Sequence, residues 1–102
     1  MKGEIEKLRK EKWFDVWFSI EALGVEEQVV KEALEKHIEK LESVRNATVY
    51  EKKFHEAVKV EKPMKGVEEA YSQVVEVKFL AKDLFTLCNM VLVYGPSAVE
   101  IL

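Results

Sequence analysis

The stretch 13–21 (WFDVWFSIE) constrains the fold more than any other, because apolar and mixed positions alternate along it. Successive side chains of a β-strand point to opposite faces, so this alternation predicts a strand with one face on a core. The other face combines polar groups with two large aromatic rings, Trp13 and Trp17, which indicates that it also meets a partner. The predicted core face is formed by Phe14, Val16, Phe18 and Ile20.

Two helices are predicted after this strand in the sequence. Apolar residues recur at helical spacing over 25–43, with Glu and Lys on the remaining surface. A second helix is predicted over 81–94, where Asp83 can cap the N-terminus and Gly95 can end the helix. Its predicted inward stripe consists of Leu84, Leu87, Cys88 and Val91, widened by Phe85 and Leu92. Met90 and Val93 fall outside that stripe and leave little polar surface, which is typical of a helix that packs on another helix or subunit.

The remaining segments complete a single domain. Strands are predicted over 47–61, with an irregular parity that suits an edge strand or a bulge, over 71–80, and over 98–102 with Val99 and Ile101 inward. Pro63 and Gly66 mark the loop between the first two of these strands. A short charged helix is expected before the first strand, and the apolar run that ends the chain predicts a piece of a longer protein.

The order of these elements predicts an α+β fold of the ferredoxin-like type, βαββαβ, over 1–102 with a helical extension over 1–12. Two helices would cover one face of a four-stranded antiparallel sheet. The expected spatial order of the strands is 98–102, 13–21, 71–80 and 47–61, with the middle two central.

This pattern resembles the broad group of ferredoxin-like domains that contains ACT domains, RNA-recognition modules and small uncharacterised archaeal proteins. In such ligand-binding domains a glycine between the first strand and the first helix often lies near the ligand, and Gly24 has a similar position. The resemblance therefore implies a small-molecule site near Gly24. The Lys/Arg-Gly-Phe-Gly segment of RNA-recognition modules does not occur in the sequence.

Charge and composition exclude several classes of function. The formal net charge is −3, and Arg9 and Arg45 are the only arginines, so few groups can neutralise phosphates, which argues against nucleic-acid binding. The single cysteine, Cys88, excludes an internal disulfide and indicates a reducing, cytoplasmic setting. No apolar run is long enough to span a membrane. The abundance of Glu and Lys resembles the composition of hyperthermophile proteins.

For the residue types that could perform catalysis or bind a metal, a structural role is the simpler interpretation. His37 is interpreted as a boundary residue of the first long helix and His55 as a solvated strand residue, so no metal or cofactor is expected. Cys88 is interpreted as a buried apolar residue. Three carboxylates could approach one another on the open sheet face, but a salt-bridged surface is the simpler interpretation: Glu21, Glu76 and Glu100.

The sequence therefore favours a non-enzymatic domain that self-associates into a homo-oligomer through its open sheet face. The first alternative is that the N-terminal helix, or a C-terminal segment beyond the given sequence, covers that face. The others are a small-ligand regulatory domain of the ACT type, binding near Gly24 or across the oligomer interface, and single-stranded RNA binding with bases stacked on the Trp rings. Eight residues are predicted at the partner or ligand surface: Trp13, Trp17, Glu21, Gly24, Val74, Glu76, Lys78 and Leu80.

Overall fold

The computed structural model describes residues 2–102, apart from the side chains at positions 2, 63, 64 and 67. In chain order the elements are α1 Lys2–Lys10, β1 Phe14–Gly24, α2 Glu27–Glu42, β2 Ala47–Phe54, β3 Val58–Met64, β4 Val67–Ala81, α3 Leu84–Tyr94 and β5 Ala98–Ile101. The five strands of the described chain form one antiparallel sheet in the order β2-β4-β1-β5, with β3 also paired to β4. The α+β class is confirmed, and the expected count of four strands is wrong.

The fifth strand arises because the segment predicted as one strand over 47–61 is interrupted at 55–57. β2 and β3 pair with successive parts of the long strand β4, so they follow the same sheet edge. At the interruption His55 N donates to Val74 O, and the side chain of Gln73 donates from Nε2 to His55 O at 2.9 Å. These two bonds satisfy backbone groups that the interrupted ladder leaves free. Gly66, with φ +86°, forms the turn between β3 and β4.

The predicted register of β1 is confirmed, since Val16 and Phe18 are fully buried. β1 and β4 pair antiparallel from Phe14 opposite Ala81 to Gly24 opposite Tyr71. This pairing places buried side chains of both strands on one face, where the Phe18 and Phe79 rings meet edge to face with centroids 4.7 Å apart. α2 covers this face with Val30, Leu34, Ile38 and Leu41.

α3 also packs on this face, but its buried stripe differs from the predicted one. Thr86, Leu87 and Met90 are buried, whereas Leu84 and Cys88 are exposed. Phe85 and Leu92, which were expected to widen the inward stripe, are also exposed. Almost every position of this helix is apolar, so sequence periodicity could not fix its rotation.

Packing against α2 sets the rotation of α3. Nε2 of His37 lies 3.0 Å from Tyr94 O, and the two rings meet edge to face. His37 is half-buried at the boundary of the core, as predicted. The predicted caps of α3 are also present, because Asp83 Oδ1 accepts from Thr86 N at 2.8 Å and Gly95 has φ +52°.

Candidate association surfaces

The sheet face opposite the core, called the open sheet face here, is partly covered by α1. α1 ends at Lys10, and the left-handed residue Lys12, with a φ of +67°, then reverses the chain. Lys12 N donates to Arg9 O and Trp13 N donates to Leu8 O, the bond pattern of a Schellman motif. α1 therefore folds back along the sheet and contacts β4. Leu80, predicted as a partner-binding residue of this face, is fully buried there.

A polar network joins α1 to the sheet next to Leu80. Asp15 pairs with Leu80 across β1 and β4, and its carboxylate accepts from Arg9 Nε at 3.2 Å and from Tyr50 Oη at 2.5 Å. The Arg9 guanidinium lies over the Tyr50 ring, 5.2 Å from its centroid. Partial burial and the bond to Asp15 raise the pKa of Tyr50 to about 12. The bond with Tyr50 and the charge of Asp15 raise the pKa of Arg9 as well.

A second network holds Trp17, one of the two predicted aromatic contact residues. Its indole Nε1 donates to Glu76 Oε1 at 3.1 Å, and Nε2 of His55 lies 2.5 Å from Glu76 Oε2. The histidine must carry its hydrogen on Nε2 to donate this bond. The bonds from His55 and Trp17 lower the pKa of Glu76 below its ordinary value. Trp13 and Trp17 are both half-buried within the single chain.

The other predicted residues of the open sheet face do not converge on one site. Glu21 accepts from Ser72 Oγ at 2.8 Å, and Lys78 pairs with Glu51 at 3.3 Å. Val74 is half-buried in the neighbouring strand. Glu21 and Glu76 thus have separate partners and form no shared acid–base arrangement. His55, expected to be solvated, is the histidine held by Glu76.

Gly24 has a packing role in the structure. A Cβ atom placed on it would lie 2.9 Å from Cγ2 of Val30, so any larger residue at position 24 would force the buried Val30 side chain or α2 to shift. Two grooves, of about 350 and 320 Å³, lie beside α3, and neither Gly24 nor Val30 lines them. The ligand position implied by the resemblance to ACT domains is therefore not the position of these grooves.

A second surface runs along α3 and β5, and its apolar side chains are exposed. Leu84, Cys88 and Leu92 follow one another at four-residue spacing, so they share one side of the helix. Val99 and Ile101 pair with core residues of β1 and therefore point to the same side of the sheet as α3. Leu92 is 82% exposed. These five residues are called the α3–β5 face below.

A groove of about 350 Å³ lies within the α3–β5 face. Its walls are apolar and come from both elements: Leu87, Cys88, Val91, Leu92 and Val99. Charged residues make up 34% of the chain, yet none occurs between positions 84 and 99. This gap in charge is the sequence signal for the face, because surface helices normally carry charged residues on their solvent side. The part of it within α3 already predicted a helix that packs on another helix or subunit.

Among residues 2–102, no cluster of three or more His, Cys, Asp or Glu side chains could hold a metal ion. None of the described helices combines the length and hydropathy that crossing a membrane requires.

Comparison with known proteins gave one family. The model of the MJ0538 family matches residues 15–102, which include α2, α3 and every strand apart from Phe14, the first residue of β1. Neither the curated proteins nor the solved structures gave a match.

Proposed function

We propose that this chain, which belongs to the MJ0538 family, is a protein-association domain that forms a homo-oligomer through the α3–β5 face. The observation that supports the proposal is the uncharged, exposed helix α3 beside the short exposed strand β5. An apolar patch of this extent on a highly charged protein is typical of an interface.

A second copy of the chain fits this face better than a charged partner does. Because α3 offers no charged side chain, an acidic or basic partner would lose hydration without gaining an ion pair. A second copy brings the same apolar surface, and a two-fold arrangement lets each groove receive the ridge of the other helix.

The open sheet face supports association less well. Leu80, an apolar residue of this face, is already buried, and the indole N–H of Trp17 already has an acceptor. Single-stranded RNA would meet the carboxylates of Asp15, Glu21 and Glu76 on this face, which oppose the phosphate backbone. The sequence favours self-association through the open sheet face, and we propose the α3–β5 face in its place.

The fold that presents this face is interpreted as ferredoxin-like. In support, the elements from β1 to β5 follow one another as βαββαβ when β2 and β3 are counted as one strand. The spatial order of the strands, β2-β4-β1-β5, also agrees with the expected order. This fold hosts many functions, so the argument for association depends on the surface and not on the fold. We further propose a cytoplasmic location, because the single cysteine is exposed on α3.

The test combines one charged substitution with a matched control. We expect wild type to sediment as an oligomer and Leu92→Glu to sediment as a folded monomer, because a buried unpaired carboxylate is costly. Leu23→Glu is the control, since Leu23 is an exposed leucine near the far end of β1. Circular dichroism verifies that each variant is folded. A monomeric wild type, or an oligomer that survives Leu92→Glu, would contradict the proposal.

Cys88 provides a second, independent measurement. It is the only cysteine and is exposed on the proposed face, so a short bismaleimide can join two chains only through this residue. We expect a covalent dimer at low protein concentration for wild type and for Leu23→Glu. For Leu92→Glu, the yield of covalent dimer should fall in proportion to the fraction of oligomer seen by sedimentation.

A further inference from the structure

β5 forms one edge of the sheet, and within residues 2–102 it pairs only with β1. Leu102 N donates to Asp15 O at 2.8 Å, and this pair lies one step beyond the end of the β1–β5 register. Because bonded and non-bonded pairs alternate in an antiparallel ladder, Val99 and Ile101 turn their backbone N–H and C=O groups away from β1. Both residues therefore offer a donor and an acceptor to another strand.

The two edges of the sheet differ in how they are protected from such pairing. The edge formed by β2 and β3 carries the exposed lysines Lys52, Lys53 and Lys59, and it is broken by the interruption at 55–57. Lysines and irregular backbone keep other strands from joining an edge. β5 has the sequence AVEI, without lysine or proline, and its register with β1 is regular. The β5 edge is therefore the one that another strand can join.

We propose that β5 pairs antiparallel with β5 of a second copy, so that the two sheets join into one continuous sheet. This inference rests on the self-association proposed above and specifies its geometry. A strand as short as β5 forms few bonds, so the pairing needs a second contact beside it. Val99 and Ile101 point to the same side of the sheet as α3. Joining the two edges therefore brings the two α3 helices together on that side, and one two-fold axis generates both contacts.

The directions of the backbone groups limit the register of this pairing. A residue that faces outward must lie opposite another that faces outward, so Val99, Glu100 or Ile101 lies opposite its own copy. Glu100 opposite its copy would place two carboxylates side by side, which is destabilising. Ile101 opposite its copy would leave Val99 without a partner in β5. The remaining register places Val99 opposite Val99 of the second copy, with Glu100 opposite Ala98.

Amide hydrogen exchange of ¹⁵N-labelled protein separates edge pairing from association by other contacts. In the Leu92→Glu monomer the Val99 amide lies at a free edge and should exchange quickly. In the wild-type oligomer it should exchange at least about tenfold more slowly, because it then donates to the second copy. The Glu100 amide faces β1 and is the internal control, since the monomer already protects it. Sedimentation of the same samples reports the association itself.

Engineered cysteines test the register in a Cys88→Ala background, which lacks the native thiol. Cα atoms of a hydrogen-bonded antiparallel pair are about 5.5 Å apart, which a disulfide can span. Val99→Cys should therefore form a covalent dimer under mild oxidation. Ile101→Cys is the matched control, because it lies on the same edge and is more exposed, at 54% against 42%. Its two copies would be offset by roughly 14 Å along the strands and should give no disulfide.

The outcomes separate this inference from the proposed function. An oligomer that Leu92→Glu dissociates, but in which the Val99 amide exchanges as fast as in the monomer, supports association and overturns edge pairing. A disulfide yield from Ile101→Cys that equals or exceeds the yield from Val99→Cys overturns the register. A monomeric wild type overturns both proposals. A slow Val99 amide together with a disulfide selective for position 99 supports the continuous sheet.

Discussion

The open sheet face and the α3–β5 face both carry large apolar side chains, but the chain treats them differently. On the open sheet face α1 folds back over the sheet, Leu80 is fully buried, and Glu76 accepts from the Trp17 indole. On the α3–β5 face the side chains of Leu92 and its neighbours extend into solvent, and no charged group lies among them. Large aromatic rings alone are therefore a weaker indication of an interface than apolar surface that the chain leaves uncovered.

The largest expected effect on stability comes from comparing the same change, leucine to alanine, at one position on each face. Leu80→Ala removes a fully buried side chain and should lower the free energy of unfolding by about 2–5 kcal/mol. Leu92→Ala, at a site 82% exposed, should change the stability of the monomer by less than about 0.5 kcal/mol. Urea denaturation at low protein concentration measures both values, and at high concentration Leu92→Ala should also lose stability through weaker association.

Equal and small effects of the two substitutions would contradict the placement of α1 on the sheet, because Leu80 would then lack its cover. A large effect of Leu92→Ala in the monomer would instead show that α3 is rotated as the sequence pattern first suggested.

Sequence reasoning identified the parts of the fold where polarity alternates sharply. The strand β1 with Phe18 inward and the capped ends of α3 at Asp83 and Gly95 follow from local patterns. The order of the strands follows from the order of helices and strands along the chain. The interruption at 55–57 could not be predicted, because it depends on the side chain of Gln73, which binds His55 from the neighbouring strand. Contacts between residues distant in sequence leave no local pattern.

For the candidate surfaces the sequence signal was incomplete in a specific way. Parity placed Trp17 and Glu76 on the same face correctly, but it could not show that they bond to each other and to His55. In α3 the near absence of polar residues indicated a partner, yet it also removed the contrast that fixes which side faces the core. Cys88 was therefore predicted to be buried and is exposed.

An intermediate effect is expected from Glu76→Gln, which tests the polar network that covers the open sheet face. Because bonds from His55 and Trp17 lower its pKa from 4.5, Glu76 stabilises the folded state when ionised. This contribution is present above the unfolded pKa and is lost as the pH falls through the lowered folded pKa. The difference in free energy of unfolding between wild type and Glu76→Gln should therefore be present at neutral pH and shrink in acid.

Chemical denaturation at a series of pH values measures this difference. Glu35→Gln, on the exposed side of α2, is the control for removing a carboxylate. A difference that stays constant into acid would show that the charge of Glu76 has no part in the network, and association should be unaffected in either case.

The smallest effect is expected from Tyr50→Phe, which tests how α1 is held to the sheet. The phenol of Tyr50 donates to Asp15, and its pKa is raised from 10.0 to about 12, so one tyrosine should ionise late in an alkaline titration followed by ultraviolet absorbance. A raised folded pKa means that the contribution of Tyr50 to stability is full below the unfolded pKa and is lost as the pH rises through the folded value. Tyr50→Phe should abolish the late ionisation, whereas Tyr94→Phe, on the opposite side of the sheet, should retain it.

At neutral pH the Tyr50→Phe variant loses one hydrogen bond, worth about 1 kcal/mol, while Arg9 still pairs with Asp15. A late step that persists without Tyr50 would place the protected tyrosine elsewhere and leave the cover of the open sheet face to apolar packing around Leu80.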